Sequence, residues 1–236
     1  MKLEPLGLKE SGAIYGAGAV LLYIATRTVI PWLVERFGLE PIVAWFVAAG
    51  LTVFVPLIAI GIFLLAREPR SRASRWLARR LWLRPMLRDD WLWTLAGAGA
   101  IALLSAPVTA ALVSRYGKAA FTPEFLAYSP LGPRRFWILT AWLPFFLVNM
   151  LGEAFIWHSV MLPRQERSVG KWAWLVSGCG WALFHMALPW QILVSLVPTI
   201  FVIPYLVQRR SNVWVGVVLH VFVNGPGFIA VALGLV

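Results

Sequence analysis

A chain of 236 residues that is 60% hydrophobic and 13% charged lies far from the roughly 45–50% apolar and about 25% charged make-up of soluble domains. With apolar runs of about 18 residues or more repeated along it, this excludes a soluble globular fold and predicts an all-α, polytopic transmembrane helical bundle without a separate soluble domain. The net charge of +11 invites a nucleic-acid reading, but eight arginines fall in one stretch, Arg67 to Arg88; this suits an anionic lipid leaflet, and no nucleic-acid partner is expected.

In chain order, the polar start MKLEPLGLKES leads into an apolar run of near-span length with no small-residue cleavage site, read as a retained helix. About seven spans are predicted, near 12–33, 41–66, 91–114, 136–162, 171–188, 190–208 and 212–235, with tryptophans such as Trp32, Trp91, Trp172 and Trp190 at their ends as an interfacial belt. Residues 1–135 form an N-terminal group of helices with a basic cytoplasmic loop, 67–90; residues 136–236 form a four-helix core that carries the chemistry. Within the loop, Arg72 to Arg84 alternates bases with Trp76, Leu77, Leu81 and Trp82, the pattern of a helix lying on the leaflet. The stretch 115–135, with Pro123, Pro130 and Pro133, reads as irregular. Cys179 sits among Ser177, Gly178 and Gly180 and reads as a small packing residue. Pro198 and Pro204 should bend the sixth span, and Gly225-Pro226-Gly227 should break the seventh after Asn224.

Basic residues outside the spans set the orientation. The N-terminal side holds Lys2, Lys9, the eight loop arginines, Arg164, Arg167, Lys171, Arg209 and Arg210; the opposite side holds only Arg36, Arg115, Lys118, Arg134 and Arg135. A 15-to-5 split predicts the N-terminus inside and the C-terminus outside.

All three histidines, His158, His185 and His220, and one isolated acid, Glu153, lie inside these apolar runs. An ionisable group at that depth costs on the order of several kcal/mol and marks a functional site by default. At about 1.5 Å per residue, Glu153, His185, His220 and Asn224 all fall in one slab near the bilayer middle. His220 and Asn224, four residues apart, share a helix face. A carboxylate beside an imidazole can take a proton from water, and a second imidazole with an amide NH₂ can hold the oxyanion formed on a carbonyl. Glu153, His185 and His220 could instead hold a divalent metal such as zinc. The HExxH spacing is absent, and the direct glutamate mechanism, with no cofactor, is favoured. His158, five residues beyond Glu153, falls roughly 140° around an ideal helix and should face elsewhere.

At these residues the chain resembles the CAAX protease and bacteriocin-processing (CPBP) family, the type II CAAX prenyl endopeptidase-like intramembrane proteases. That pattern has three parts: Glu-Glu-x-x-x-Arg, Phe-x-x-x-His and His-x-x-x-Asn or His-x-x-x-Asp. Here they read Glu153-Ala154-Phe155-Ile156-Trp157-His158, Trp181-Ala182-Leu183-Phe184-His185 and His220-Val221-Phe222-Val223-Asn224. The resemblance covers about 137–235. It implies that Glu153 and His185 activate water while His220 and Asn224 hold the oxyanion, the substrate being a membrane-tethered protein or peptide. Ala154, His158 and Trp181 depart from the pattern. The missing glutamate and arginine would have formed an ion pair, and replacing both partners of a buried pair can be nearly neutral.

The alternative carried beside the protease is a catalytically inactive scaffold or bacteriocin-immunity-type protein on the same fold. A small transporter with a midplane proton relay would be expected to show repeated halves, and none is visible. The arginine bias and compact size suit a multi-pass protein of a bacterial inner membrane.

Overall fold

The computed structural model describes residues 3–69, 75–123, 125 and 129–235, and their regular structure is entirely helical. The spanning helices are α1 (Leu8–Phe37), α2 (Pro41–Ala66) and α4 (Arg88–Tyr116), with the short α3 (Trp76–Arg80) between the last two. Then come α5 (Trp137–Glu153, continued by Ala154–Met161 and Leu162–Val169), α6 (Ala173–Phe184), α7 (Trp190–Arg210) and α8 (Val213–Ala232).

Among the described residues, six stretches are long and apolar enough to cross a membrane. One of them, the 55 residues Pro133–Ala187, would reach about 80 Å if straight. It turns back at Gly170, whose φ of 59° and ψ of −135° suit a residue without a Cβ. The stretch is therefore two antiparallel helices, α5 and the shorter α6, and about seven apolar helices result, as the apolar runs predicted.

In the bundle, α7 packs against α4, α6 and α8, while α1 lies on α6. A Cβ at Gly180 would overlap the Tyr15 ring, so this glycine sets the close approach of α1 to α6. Tyr15 in turn stacks on Trp157 at 4.4 Å and meets Ser177 Oγ at 3.1 Å. Packing here thus belongs to Ser177 and Gly180. Cys179 is exposed, contrary to expectation, because its neighbours take the inward positions.

Three helices widen into π-helical turns: Ala25–Val29, Gly50–Phe54 and Ala154–Met161. Each is followed by a proline near the start of the next α-helical segment, Pro31, Pro56 and Pro163. A proline within a helix donates no hydrogen bond and pushes on the carbonyl four residues back. A wider turn just upstream absorbs the conflict. For Pro163 that carbonyl belongs to Ser159, and Arg80 serves it. Arg80 Nη1 donates to Ser159 O at 2.9 Å and Nη2 to Val160 O at 3.2 Å.

Arg80 is buried, as are its partners. It forks onto both oxygens of Glu68 at 2.5 Å, and Arg164 donates to the same carboxylate at 2.7 Å. Burial alone would raise the Glu68 pKa, but the hydrogen bonds from Arg80 and Arg164 outweigh it and hold the carboxyl below its ordinary range. The basic stretch is therefore not one continuous lipid-facing surface. Arg80 is an interior ion-pair residue, and Arg84 forks onto Asp90. Of the surface helix expected over Arg72 to Arg84, residues 72–74 lie outside the described ones, and α3 is its helical part.

The expected break after Asn224 is absent. Helix α8 runs through Pro226 to Ala232, and α7 runs through Pro198 and Pro204. Unravelling a helix in apolar surroundings would strand several backbone groups, whereas an internal proline forfeits about one bond.

Candidate active site

Glu153 closes the regular part of α5 at the mouth of its π-helical turn. His185 follows the last residue of α6. His220 and Asn224 lie one turn apart on α8. These four side chains, with Trp181, line a single cavity of about 490 Å³. Glu153 and His220 are buried in its floor at 3% and 5% exposure, His185 is partly buried, and Asn224 is open to the cavity.

Trp181 organises the cluster. Its indole Nε1 donates to Glu153 Oε2 at 2.5 Å, and its backbone carbonyl meets His185 Nδ1 at 2.9 Å. A carbonyl only accepts, so Nδ1 carries the proton, and in the neutral ring Nε2 keeps its lone pair. The indole also makes edge-on contacts with His158 and His220, both at 5.2 Å, and with His185 at 5.7 Å. In the sequence alone Trp181 reads only as a departure from phenylalanine. The signal was present: a buried carboxylate lacking its arginine needs another donor, and an indole N–H is one.

His158 does not face away from the site. In a π-helix the hydrogen bond reaches five residues back instead of four, so residues five apart come close to stacking, and the 140° separation of an ideal α-helix does not apply. The His158 ring lies behind Trp181, outside the cavity lining, and both its nitrogens are buried without a hydrogen-bond partner among the described residues. Ala154 packs beside Val213 and Val217 of α8. A Cβ on Gly216 of the same helix would lie 3.6 Å from the His158 ring. Packing against α8 thus occupies the place that the missing ion pair would have held.

Among the described residues, no three His, Cys, Asp or Glu side chains converge closely enough to hold a metal ion.

Residues 135–225 match the protein family described as Type II CAAX prenyl endopeptidase Rce1-like. Glu153, His185, His220 and Asn224 all lie within the matched segment. No curated protein and no solved structure matches the chain.

Proposed function

We propose that the protein is an intramembrane endopeptidase of a bacterial cell membrane, acting on a membrane-tethered protein or peptide through water activated by Glu153 and His185. The observation that carries this reading is the joint lining of one cavity by Glu153, His185, His220 and Asn224.

Trp181 engages one carboxylate oxygen of Glu153, which leaves the other to take a proton from water. His185 Nε2, its tautomer set by the Trp181 carbonyl, accepts the second hydrogen of that water and orients it. The hydroxide attacks the scissile carbonyl carbon. Donors from His220 and Asn224, which spend no hydrogen bond within the protein among the described residues, stabilise the oxyanion. The proton on Glu153 then passes to the leaving nitrogen as the C–N bond breaks, which regenerates the carboxylate.

A catalytically silent scaffold is the second reading, and Ala154 and His158 are the observations in its favour. One experiment separates the two: wild type and Glu153→Gln in proteoliposomes, given a pool of lipid-anchored peptides, with cleavage read by mass spectrometry. The glutamate mechanism expects cleavage by wild type and a loss of at least about 10² in the variant. Equal cleavage by both overturns it. A wild type that cleaves nothing in the pool favours the scaffold. Silencing by chelator, with recovery on added zinc, favours the metal alternative.

A further inference from the structure

The cavity runs from the middle of the bundle to one of its ends. Its lining residues nearest the helix ends are Ile42 at the start of α2, Thr122 in the loop after α4, Leu188 between α6 and α7, and Val231 at the end of α8. All four lie on the side of the bundle opposite α3. From this rim the cavity descends to Glu153, 16 residues below Trp137 in α5, or about 24 Å at 1.5 Å per residue. The deepest lining residues, Leu22, Glu153 and His220, lie near the middle of their helices, and none comes from the end turns in the α3 half of the bundle. That half is closed by the buried Arg80–Glu68–Arg164 cluster, which is tied to the carbonyls of Ser159 and Val160 just beyond the floor.

The wall between rim and floor is aromatic, with Trp45, Phe46, Trp142, Phe145, Phe146 and Phe228. Among the described residues it holds no charged group above Glu153 and the histidines. In a helix the backbone carbonyls are tied up in hydrogen bonds to the amides four residues on, so a helical segment at the floor would offer none to oxyanion donors. An extended chain covers about 20 Å of this depth with roughly six residues at about 3.3 Å each, and it leaves its carbonyls free to meet oxyanion donors.

We infer that the substrate reaches the floor from the membrane face opposite the arginine-rich one, as an extended, uncharged, apolar peptide segment. The excess of basic residues on the α3 side makes that face the outer one. The chemistry rests on the endopeptidase reading; the route does not.

The test uses the full-length chain on a Cys179→Ala background, with Asn149→Cys one turn above Glu153 and Arg167→Cys on the α3 side. A membrane-impermeant methanethiosulfonate is applied to right-side-out spheroplasts or to inside-out vesicles. The inference expects Asn149→Cys to react from outside only and Arg167→Cys from inside only. Prior exposure of purified Asn149→Cys to an uncharged, extended aromatic hexapeptide should slow its modification at least fivefold, while a hexapeptide of the same length carrying two lysines should not. Reaction of Asn149→Cys from the same face as Arg167→Cys overturns the route. Reaction from opposite faces with the assignment reversed overturns the outer location. Equal protection by both peptides overturns the apolar specificity. If labelling behaves as expected and no cleavage occurs, the route stands and the endopeptidase reading falls.

Discussion

The indole of Trp181 and the carboxylate of Glu153 share a hydrogen bond of 2.5 Å across the interface of α6 and α5. It joins a residue that departs from the family pattern to one that keeps it. A hydrogen bond to a charged group is worth about 1.5–3 kcal/mol. In the proposed mechanism it engages one oxygen of Glu153 and leaves the other for water. Trp181 is thus a positioning residue.

Trp181→Phe removes the N–H, keeps an aromatic ring against the three histidines, and restores the residue type of the pattern. The expected result is a kcat lower by about tenfold or more, with KM within roughly twofold and the unfolding temperature little changed. Trp181→Leu, which also loses the ring, should lower stability as well. If Trp181→Phe turns over like wild type, the N–H has no role in the reaction.

Arg80 gives a stability prediction. Arg80→Met leaves the Ser159 and Val160 carbonyls without their side-chain donor and Glu68 with Arg164 alone. Breaking a buried ionic group in this way costs about 3–5 kcal/mol, or roughly 6–20 °C in the unfolding temperature for a chain of this size. Arg80→Lys should recover only part of it, since an ammonium cannot fork onto a carboxylate and two carbonyls together. Thermal unfolding in detergent measures both. An Arg80→Met variant as stable as wild type would show that the cluster holds nothing together.

The same cluster sets a pH dependence. The folded Glu68 carboxyl lies below its ordinary value of 4.5, so the stability it contributes is complete above that value and is lost as pH falls through the lower folded one. Glu68→Gln should therefore flatten the loss of stability below about pH 4.5, while lowering stability at neutral pH. Parallel slopes for the two proteins in that acid window would show that Glu68 is not linked to folding.

The parts of the molecule governed by solvent were readable in the sequence. Apolar runs mark the helices because lipid tolerates little else, and four polar residues at one depth meet in one cavity because helices of similar length place equal depths side by side. What depended on local backbone competition was not readable. Pro163 was visible, but the π-helical turn upstream of it, and the return of His158 toward Trp181, depend on where the displaced Ser159 carbonyl finds a donor. That donor, Arg80, comes from 79 residues away, out of a stretch whose composition reads as a lipid-facing surface. The unbroken α8 has a similar origin. Gly225-Pro226-Gly227 is a turn signal in water, where freed backbone groups are hydrated, and not in an apolar bundle.

His158 provides the last prediction. Its two ring nitrogens are buried without partners among the described residues, and a buried polar group left unsatisfied costs about 1–3 kcal/mol. Phenylalanine has nearly the same shape and no polar atom, and it can keep the edge-on contact with Trp181. His158→Phe should therefore raise the unfolding temperature while cleavage is retained. His158→Ala should lower it, because the ring leaves a cavity in a packed region, at about 3 kcal/mol by analogy with other aromatic truncations. Its loss of activity should track the loss of folded protein. These opposite signs distinguish a packed, orphaned imidazole from a working one. A His158→Phe variant that folds normally but no longer cleaves would place His158 in the chemistry, acting through the neighbouring His220.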